Sequence, residues 1–291
     1  MIKHQFAEVN GVRLHYASAG SGPLILFVHG FPEFWYAWRR QLAEFSRDHL
    51  AVAPDTRGFS LSEKPEGVDQ YHVKHLVADL RALARHLGHE KFVLVAHDWG
   101  GATAWAFAIA HPECVEKLVI VNAPHPAIFA RELANNRAQQ EASQYMRFFR
   151  TPEAEEKLSR DNYAMLEKFA FGLGKGKNLF DDETLGLYRE AWSQPGALTG
   201  GLNYYRASPL EPPLPGGTLD LSRLDPERFK VKVPTLVIWG ERDKALLSGN
   251  LNGLEEFVPD LTVHRIPDAS HWVVHERSDE VNRRIREFLA G

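Results

Sequence analysis

Four short, uninterrupted apolar runs are the feature of this sequence that most restricts its fold. They are PLILFVHG, LAVAPD, FVLVAHD and LVIVNAP, and two later segments, PTLVIWGERD and LTVHRIPDASH, have the pattern of a strand followed by a loop. Continuous runs of this length predict strands that are buried on both faces of a parallel sheet. Helical patterns at 77–87 and 102–110 separate several of the runs. The alternation therefore predicts an α/β fold on a mostly parallel central sheet.

The N-terminal segment has a different pattern. Asn10-Gly11 lies between two stretches of alternating polar and apolar residues, FAEV and VRLHYA. Asn-Gly between alternating stretches is a strong signal for a β-hairpin. We expect the chain to begin with two antiparallel strands.

The strand and helix alternation stops near Pro124-His125-Pro126 and resumes at Val233-Pro234. Between them lie three helix-forming segments and a Pro/Gly-rich connection, RELANNRAQQEASQYMRFFR, PEAEEKLSRDNYAMLEKFAF, DETLGLYREAW and SPLEPPLPGGT. Helices inserted after a central strand are expected above the carboxyl ends of the strands, where open α/β sheets bind ligands. We predict a core at 1–125, a helical lid at 126–222 and a second core part at 223–291, ending in a helix.

Composition and charge limit the class of partner. The 291 residues carry a net charge of −4 and contain no dense basic run, so neither nucleic acid nor a membrane surface is an expected partner. No apolar run is long enough to span a bilayer and the N-terminus lacks signal-peptide features, so we expect a cytoplasmic protein that binds a small molecule. The single cysteine, Cys114, and the spacing of the histidines predict no metal site. A monomer and a dimer both remain open.

The segment Ala96-His97-Asp98-Trp99-Gly100 has small residues at both ends and an acid in the middle. This spacing is typical of a strained turn between a strand and a helix that presents a nucleophile. Aspartate is also a frequent N-cap of helices, so this segment alone leaves both interpretations open.

Three further segments favour the nucleophile interpretation. Asp243 and His271 each follow a predicted strand, which gives the chain order nucleophile, acid, histidine. The turn after the first buried run places the backbone N–H of Phe31 where, with the N–H of Trp99, it could form an oxyanion hole. Three other histidines are expected to be structural, namely His97, His125 and His275.

The motifs HGFPEFWYAWR and AHDWGG, with Asp243 and His271, resemble the epoxide hydrolase branch of the α/β-hydrolase superfamily, which is related to the haloalkane dehalogenases. The resemblance extends over nearly the whole chain and implies an α/β-hydrolase fold with a helical lid and no cofactor. Two lid segments, EASQYMRFF and GLNYYRAS, resemble those that carry the substrate-facing tyrosines of epoxide hydrolases. The resemblance implies that these residues are Tyr145 and Tyr205, although Tyr204 is adjacent.

An aspartate nucleophile has a chemical rationale. An aspartate side chain, with a reference pKa of about 3.9, is ionised at neutral pH and can attack saturated carbon. The resulting ester belongs to the enzyme, so His271 would activate water to hydrolyse it while Asp243 orients the imidazole. An epoxide oxygen leaves as an alkoxide and needs a proton, which a phenol can donate. The resemblance therefore implies conversion of an epoxide and water to a vicinal diol.

The segment Asp55-Thr56-Arg57-Gly58 also resembles this family, but Ser60 occupies a position where a second glycine is usual. We interpret the segment as structural. The serine therefore bears on the geometry of this loop rather than on the chemistry.

Two other functions remain open. A haloalkane or haloacid dehalogenase would use the same aspartate, but Phe31, Trp99 and Asn122 replace residues that particular dehalogenase groups use, and they favour an uncharged substrate. The third possibility is a non-catalytic ligand-binding receptor on the hydrolase fold. For an epoxide hydrolase we predict an apolar or aromatic substrate bound by four aromatic residues, Trp35, Trp38, Phe148 and Phe149.

Overall fold

Eight strands form one sheet in the part of the chain that the structure, a computed structural model, describes: residues 1–172, 179–222 and 225–291. The strands are β1 Lys3–Val9, β2 Val12–Ala19, β3 Leu24–Val28, β4 Leu50–Pro54, β5 Phe92–His97, β6 Val115–Val121, β7 Thr235–Gly240 and β8 Leu261–Ile266. Their order in the sheet is β1-β2-β4-β3-β5-β6-β7-β8. Every apolar run that predicts a strand forms one.

The sheet is antiparallel only at its N-terminal edge. β1 pairs with β2 through the predicted hairpin, in which Val9 is opposite Val12 and both Asn10 and Gly11 have positive φ angles. β2 is also antiparallel to β4, whereas the other neighbours are parallel. The carboxyl ends of β5, β7 and β8 therefore lie at one edge of the sheet. The predicted fold class and the hairpin are confirmed.

Helices cover both faces of the sheet and fill the long interval between β6 and β7. They are α1 Arg39–Phe45, α2 Val73–His86, α3 Asp98–Ala110, α4 Pro126–Asn135, α5 Arg137–Ala142, α6 Gln144–Phe149, α7 Ala154–Phe171, α8 Asp182–Ser193, α9 Ala197–Ala207, α10 Val273–Glu276 and α11 Ser278–Ala290. Residues 160–163 interrupt α7 with non-helical backbone angles. α2 begins four residues earlier than predicted because the His72 side chain accepts a hydrogen bond from the Lys74 N–H.

The lid helices are shorter than the sequence pattern predicts. The helix-forming stretch 131–150 is divided among α4, α5 and α6. Asn136 causes the first break, because its side chain accepts hydrogen bonds from Ala138 N–H and Gln139 N–H and caps α5. Six helices lie between β6 and β7 in the described parts of this interval. The division at 126 and 223 stays a prediction, and residue 223 lies outside the described residues.

Alternate residues of the buried strands pack on opposite faces of the sheet. Leu24, Leu26 and Val28 of β3 belong to the core that includes α2, α3 and the lid helices. Ile25 and Phe27 of the same strand belong to the core that includes α1 and α11. A strand that is apolar at every position is therefore needed, because both of its faces are covered. Within the described residues, no helix is both long and apolar enough to cross a membrane.

The Asp55-Thr56-Arg57-Gly58 segment follows β4 and ties several loops together. The Asp55 carboxylate accepts hydrogen bonds from the Trp35 N–H at 2.9 Å and from His15 at 2.7 Å. The buried Arg57 guanidinium contacts Asp79 of α2 at 2.5 Å. Ser60 adopts a φ of 43°, in the left-handed region that favours glycine. The loop thus keeps a left-handed turn at Ser60 although a serine replaces the usual glycine.

Candidate active site

Asp98 lies at a sharp turn between β5 and α3. Its φ of 50° is unusual for a residue other than glycine and is evidence of local strain. The turn needs small neighbours: a Cβ at Gly100 would approach the Val28 carbonyl oxygen to 2.3 Å, and one at Gly101 would approach the Ala123 Cβ to 2.2 Å. The helix therefore starts in close contact with the sheet, and the acid is presented above the strand ends.

The Asp98 carboxylate does not cap its own helix. His97 is the N-cap residue of α3, and Asp98 Oδ1 accepts a hydrogen bond from the Phe31 N–H of another loop at 2.8 Å. A Cβ at the neighbouring Gly30 would lie 2.2 Å from Asp98 Oδ1. A glycine is thus required where the loop after β3 approaches the acid.

Asp243 and His271 lie beside Asp98, as the chain order predicts. His271 Nδ1 is 2.7 Å from Asp243 Oδ2, and His271 Nε2 is 3.6 Å from Asp98 Oδ2. The first distance is a hydrogen bond, whereas the second is too long for one and leaves the two groups facing each other. One imidazole nitrogen is therefore held by an acid while the other faces the candidate nucleophile.

Asp243 is held by several donors, and the sequence analysis assigned none of them to this acid. Asn122 Nδ2 donates to Asp243 Oδ2 at 2.8 Å, while the N–H groups of Ala245 and Leu246 donate to Oδ1. Although burial opposes the charge, His271 and these donors keep the pKa of Asp243 below its ordinary value. Asn122 thus orients the acid, and its position directly after β6 was the available sequence signal.

Two carboxylates determine the charge state of His271. Burial disfavours the imidazolium, but Asp243 and then Asp98 favour it more strongly, and the pKa of His271 rises to about 9. Loss of the charge on either acid would lower that pKa. The histidine is therefore a base whose strength depends on whether Asp98 is ionised.

A second buried polar cluster supports the loop that carries His271. Glu33 accepts a hydrogen bond from Tyr188 of α8 at 3.0 Å and contacts His275 at 2.5 Å and His97 at 3.2 Å. His97 Nε2 lies 2.9 Å from the carbonyl oxygen of His271. His97 and His275 therefore have structural contacts, and Glu33 is a residue that the sequence analysis did not single out.

The two lid tyrosines lie over Asp98. Tyr145 of α6 and Tyr205 of α9 line the same cavity as Asp98, with ring centroids 6.1 Å apart. Burial, and the charge of Asp98, raise the pKa of both phenols well above the ordinary value. Tyr204 points elsewhere, since its hydroxyl donates to the Arg57 carbonyl oxygen at 2.9 Å. Both phenols over Asp98 therefore remain protonated.

Helix α9, which carries Tyr205, lies against the core backbone. A Cβ at Gly200 would be 2.4 Å from the Gly58 carbonyl oxygen and 2.6 Å from the Gly58 Cα. A Cβ at Gly201 would be 2.8 Å from the Phe31 ring. Glycine weakens a helix interior, so two consecutive glycines indicate a packing requirement. They set how close Tyr205 comes to the loop after β3.

Two cavities meet at Asp98, Tyr145 and Tyr205. The larger has a volume of about 350 Å³ and is mainly apolar, with walls that include Ile109, Phe129, Met146 and Leu210. The smaller has a volume of about 50 Å³ and is lined by more polar residues, among them Asp243, Ser270 and His271. Among the described residues, His271 lines only the smaller cavity.

The structure corrects the predicted substrate-binding aromatics. Trp38 is fully buried with Phe27 and Phe45 on the opposite face of the sheet, so the prediction for it was wrong. Trp35 packs edge-on against His4 of β1. None of the four predicted residues lines either described cavity.

Two of those aromatics belong to the lid. Phe148 packs beside Phe149, under Lys157. Phe149 lies behind the cavity wall, in contact with Phe31 and Tyr205. The sequence could not show whether Phe148 or Phe149 faces the cavity, because an aromatic residue next to a motif can lie on either side of its helix.

Comparisons with known proteins show the family to which this chain belongs. Residues 23–278 match the alpha/beta hydrolase fold family. The AB hydrolase superfamily protein YfhM of Bacillus subtilis is 39% identical, covering 99% of this chain and 98% of that protein. Epoxide hydrolase 1 of Caenorhabditis elegans is 38% identical, covering 98% and 70% respectively.

Solved structures of similar proteins show the same family. A variant of the Bacillus megaterium epoxide hydrolase, complexed with its product, a naphthyloxy-propane-1,2-diol, is 38% identical and has a TM-score of 0.89. The match covers 99% of this chain and all of that one. The chain belongs to the alpha/beta hydrolase fold family, in its epoxide hydrolase branch.

Proposed function

We propose that this protein is a cofactor-independent hydrolase that converts epoxides to vicinal diols through an ester on Asp98. One observation carries the proposal: a carboxylate at a strained turn faces two protonated phenols on one side and the Nε2 of a histidine on the other. A halide leaving group needs no proton, whereas an epoxide oxygen does. The paired phenols thus favour an epoxide over a haloalkane.

In the first step an Asp98 oxygen attacks an epoxide carbon, and the bond from that carbon to the ring oxygen breaks. The ring oxygen takes a proton from Tyr145 or Tyr205 as it leaves. The raised pKa of each phenol supports this role, because a proton donor must keep its proton until the reaction occurs. The product of the step is a hydroxyalkyl ester of Asp98.

In the second step His271 removes a proton from water, and the water oxygen attacks the carbonyl carbon of the Asp98 ester. The N–H groups of Phe31 and Trp99 would stabilise the tetrahedral oxyanion. The contact between Phe31 N–H and Asp98 Oδ1 supports the first of these roles. Collapse of the intermediate releases the diol, whose departing oxygen takes the proton from His271. The proton left on the Asp98 carboxyl then returns to the tyrosinate formed in the first step, which restores both the carboxylate and the phenol.

Ester formation changes the charge next to His271, which leads to a pH prediction. The Asp98 charge helps raise the pKa of His271 to about 9, and esterification removes that charge. We expect ester hydrolysis to accelerate with rising pH, as the imidazolium loses its proton, and to level off at an apparent pKa below about 9. Rapid-quench mass spectrometry of the ester between about pH 6 and pH 9 measures this. A pH-independent decay would contradict the role of His271.

The larger cavity indicates the substrate class. Its apolar walls and volume of about 350 Å³ suit an uncharged epoxide with an aryl or long alkyl substituent. The naphthyloxy diol bound to the Bacillus megaterium relative is consistent with a bulky aryl group. We therefore propose aryl and longer alkyl epoxides as substrates.

Turnover of two probes tests the proposed function. We expect the enzyme to convert styrene oxide to its diol and to release no bromide from 1-bromobutane. Bromide release with no diol would instead support a dehalogenase. Neither reaction, over a broader panel of both substrate types, would favour a ligand-binding protein.

Gly200→Ala tests how α9 positions Tyr205. The added methyl group meets the Gly58 backbone and must displace the helix, so we expect ester formation to slow about 100-fold. Decay of the ester, once formed, should be unchanged because the phenols act in the first step. Rapid-quench measurement of both steps gives these rates.

Gly186→Ala is the matched control, since it changes a lid-helix glycine in α8 with no atom within 4 Å of its added Cβ. It should keep both rates and stabilise the fold by about 0.5–1 kcal/mol. Equal kinetics in the two variants would mean that the contact with Gly58 does not position the tyrosine.

A further inference from the structure

The two unequal cavities on either side of Asp98 raise the question of what each of them holds. The larger, at about 350 Å³, exceeds the roughly 150 Å³ that accommodates a benzene ring. The smaller, at about 50 Å³, is too small for such a group but exceeds the roughly 10–15 Å³ that a water molecule needs. Size alone therefore places a bulky substituent in the larger cavity.

The polar residues that line the two cavities lead to the same assignment as the cavity volumes. A water molecule in a protein needs two to four polar partners. The smaller cavity offers His271, Ser270 and the carboxylate of Asp98, and the exposed side chains of Arg242 and Lys244 border it. The walls of the larger cavity are mostly apolar. Water is thus better accommodated in the smaller cavity.

The position of the general base gives a third, independent argument. The attacking water must lie between His271 Nε2 and the carbonyl carbon of the Asp98 ester. His271 lines the smaller cavity and, among the described residues, not the larger one. An epoxide substituent that fills the larger cavity would therefore leave the approach to His271 open.

We propose that the two cavities separate the two substrates: the epoxide substituent occupies the larger cavity, and the hydrolytic water reaches the Asp98 ester through the smaller one. This inference rests on the proposed function. It predicts that filling one cavity slows one half of the reaction and leaves the other half intact.

Two alanine-to-phenylalanine substitutions test the separation. Ala245 lines only the smaller cavity and Ala106 only the larger, and each is half-buried. The contact of Ala245 with Asp243 is made by its backbone N–H, so substitution keeps it. Ala138→Phe is the control for added bulk, because Ala138 is an exposed residue of α5 that lines neither cavity.

Ester formation and ester decay are measured by rapid-quench mass spectrometry with styrene oxide and with 1,2-epoxypropane. We expect Ala245→Phe to slow ester decay at least about 10-fold with both epoxides and to keep formation within about 3-fold. Ala106→Phe should slow ester formation from styrene oxide at least about 10-fold. It should leave unchanged the decay of the ester formed from 1,2-epoxypropane. Ala138→Phe should match the wild type in both steps.

Other results overturn the inference. If Ala245→Phe slows formation rather than decay, the smaller cavity holds part of the epoxide; if it changes neither step, water arrives by another route. If Ala245→Phe fails to fold in a thermal melt, Ala245→Val carries the same expectation with a smaller effect. A wild-type protein that forms no ester with either epoxide refutes the proposed function, whereas normal turnover without this separation refutes only the inference.

Discussion

His271→Gln should convert the enzyme into one that forms the Asp98 ester and holds it. Without the imidazole, water attack loses its general base, a loss of about 10²–10⁴-fold in comparable enzymes. Ester formation does not use His271, so it should continue. Intact-protein mass spectrometry after incubation with styrene oxide should show an added mass equal to that of the whole epoxide, because no group leaves.

Two variants control this result. Asp98→Asn,His271→Gln removes the nucleophile and should show no added mass. His86→Gln changes an exposed histidine at the end of α2 and should turn over like the wild type. A trapped adduct in the double variant would place the ester on another residue and refute Asp98 as the nucleophile.

Tyr145→Phe,Tyr205→Phe should nearly abolish ester formation, by about 10³-fold or more, with each single change costing about 10–100-fold. In the proposed mechanism these two phenols donate the proton to the leaving oxygen, and either can partly replace the other. Formation of the ester in a rapid-quench experiment is the direct measurement. Preformed ester should decay at the wild-type rate, because no phenol is needed in the second step.

Tyr204→Phe is the control next to Tyr205 in the sequence. Its hydroxyl contacts the Arg57 carbonyl oxygen, so its loss should cost about 1 kcal/mol of stability and leave ester formation unchanged. If Tyr204→Phe, and not Tyr205→Phe, slows ester formation, the assignment of the two tyrosines is reversed.

Local patterns were sufficient to predict the sheet and the position of the three central residues. Continuous apolar runs identify strands covered on both faces, and residues just past parallel strands meet at one edge of the sheet. Asp98, Asp243 and His271 follow β5, β7 and β8, and the structure brings them together. No knowledge of side-chain packing is needed for that prediction.

Residues whose role depends on tertiary packing could not be predicted in the same way. Trp38 lies in an aromatic motif, but the face that it packs on is decided by α1 and α11, which lie far apart in the sequence. Asn122 and Glu33 act through partners more than a hundred residues away, Asp243 and His275. Neighbouring residues of a helix face different directions, so the local pattern did not separate Tyr204 from Tyr205, and only the family resemblance favoured Tyr205.

The long interval between β6 and β7 has a consequence for how the chain is made. β6 pairs with β7 in the finished sheet, yet roughly 110 residues separate the two strands. At about 5–20 residues per second, a ribosome needs roughly 5–20 s to synthesise that interval. During this time β6 is an unpaired strand edge, a template for association with other chains. Asp98 emerges before this interval and both of its partners after it, so a nascent chain cannot complete the reaction until its last strands are in place.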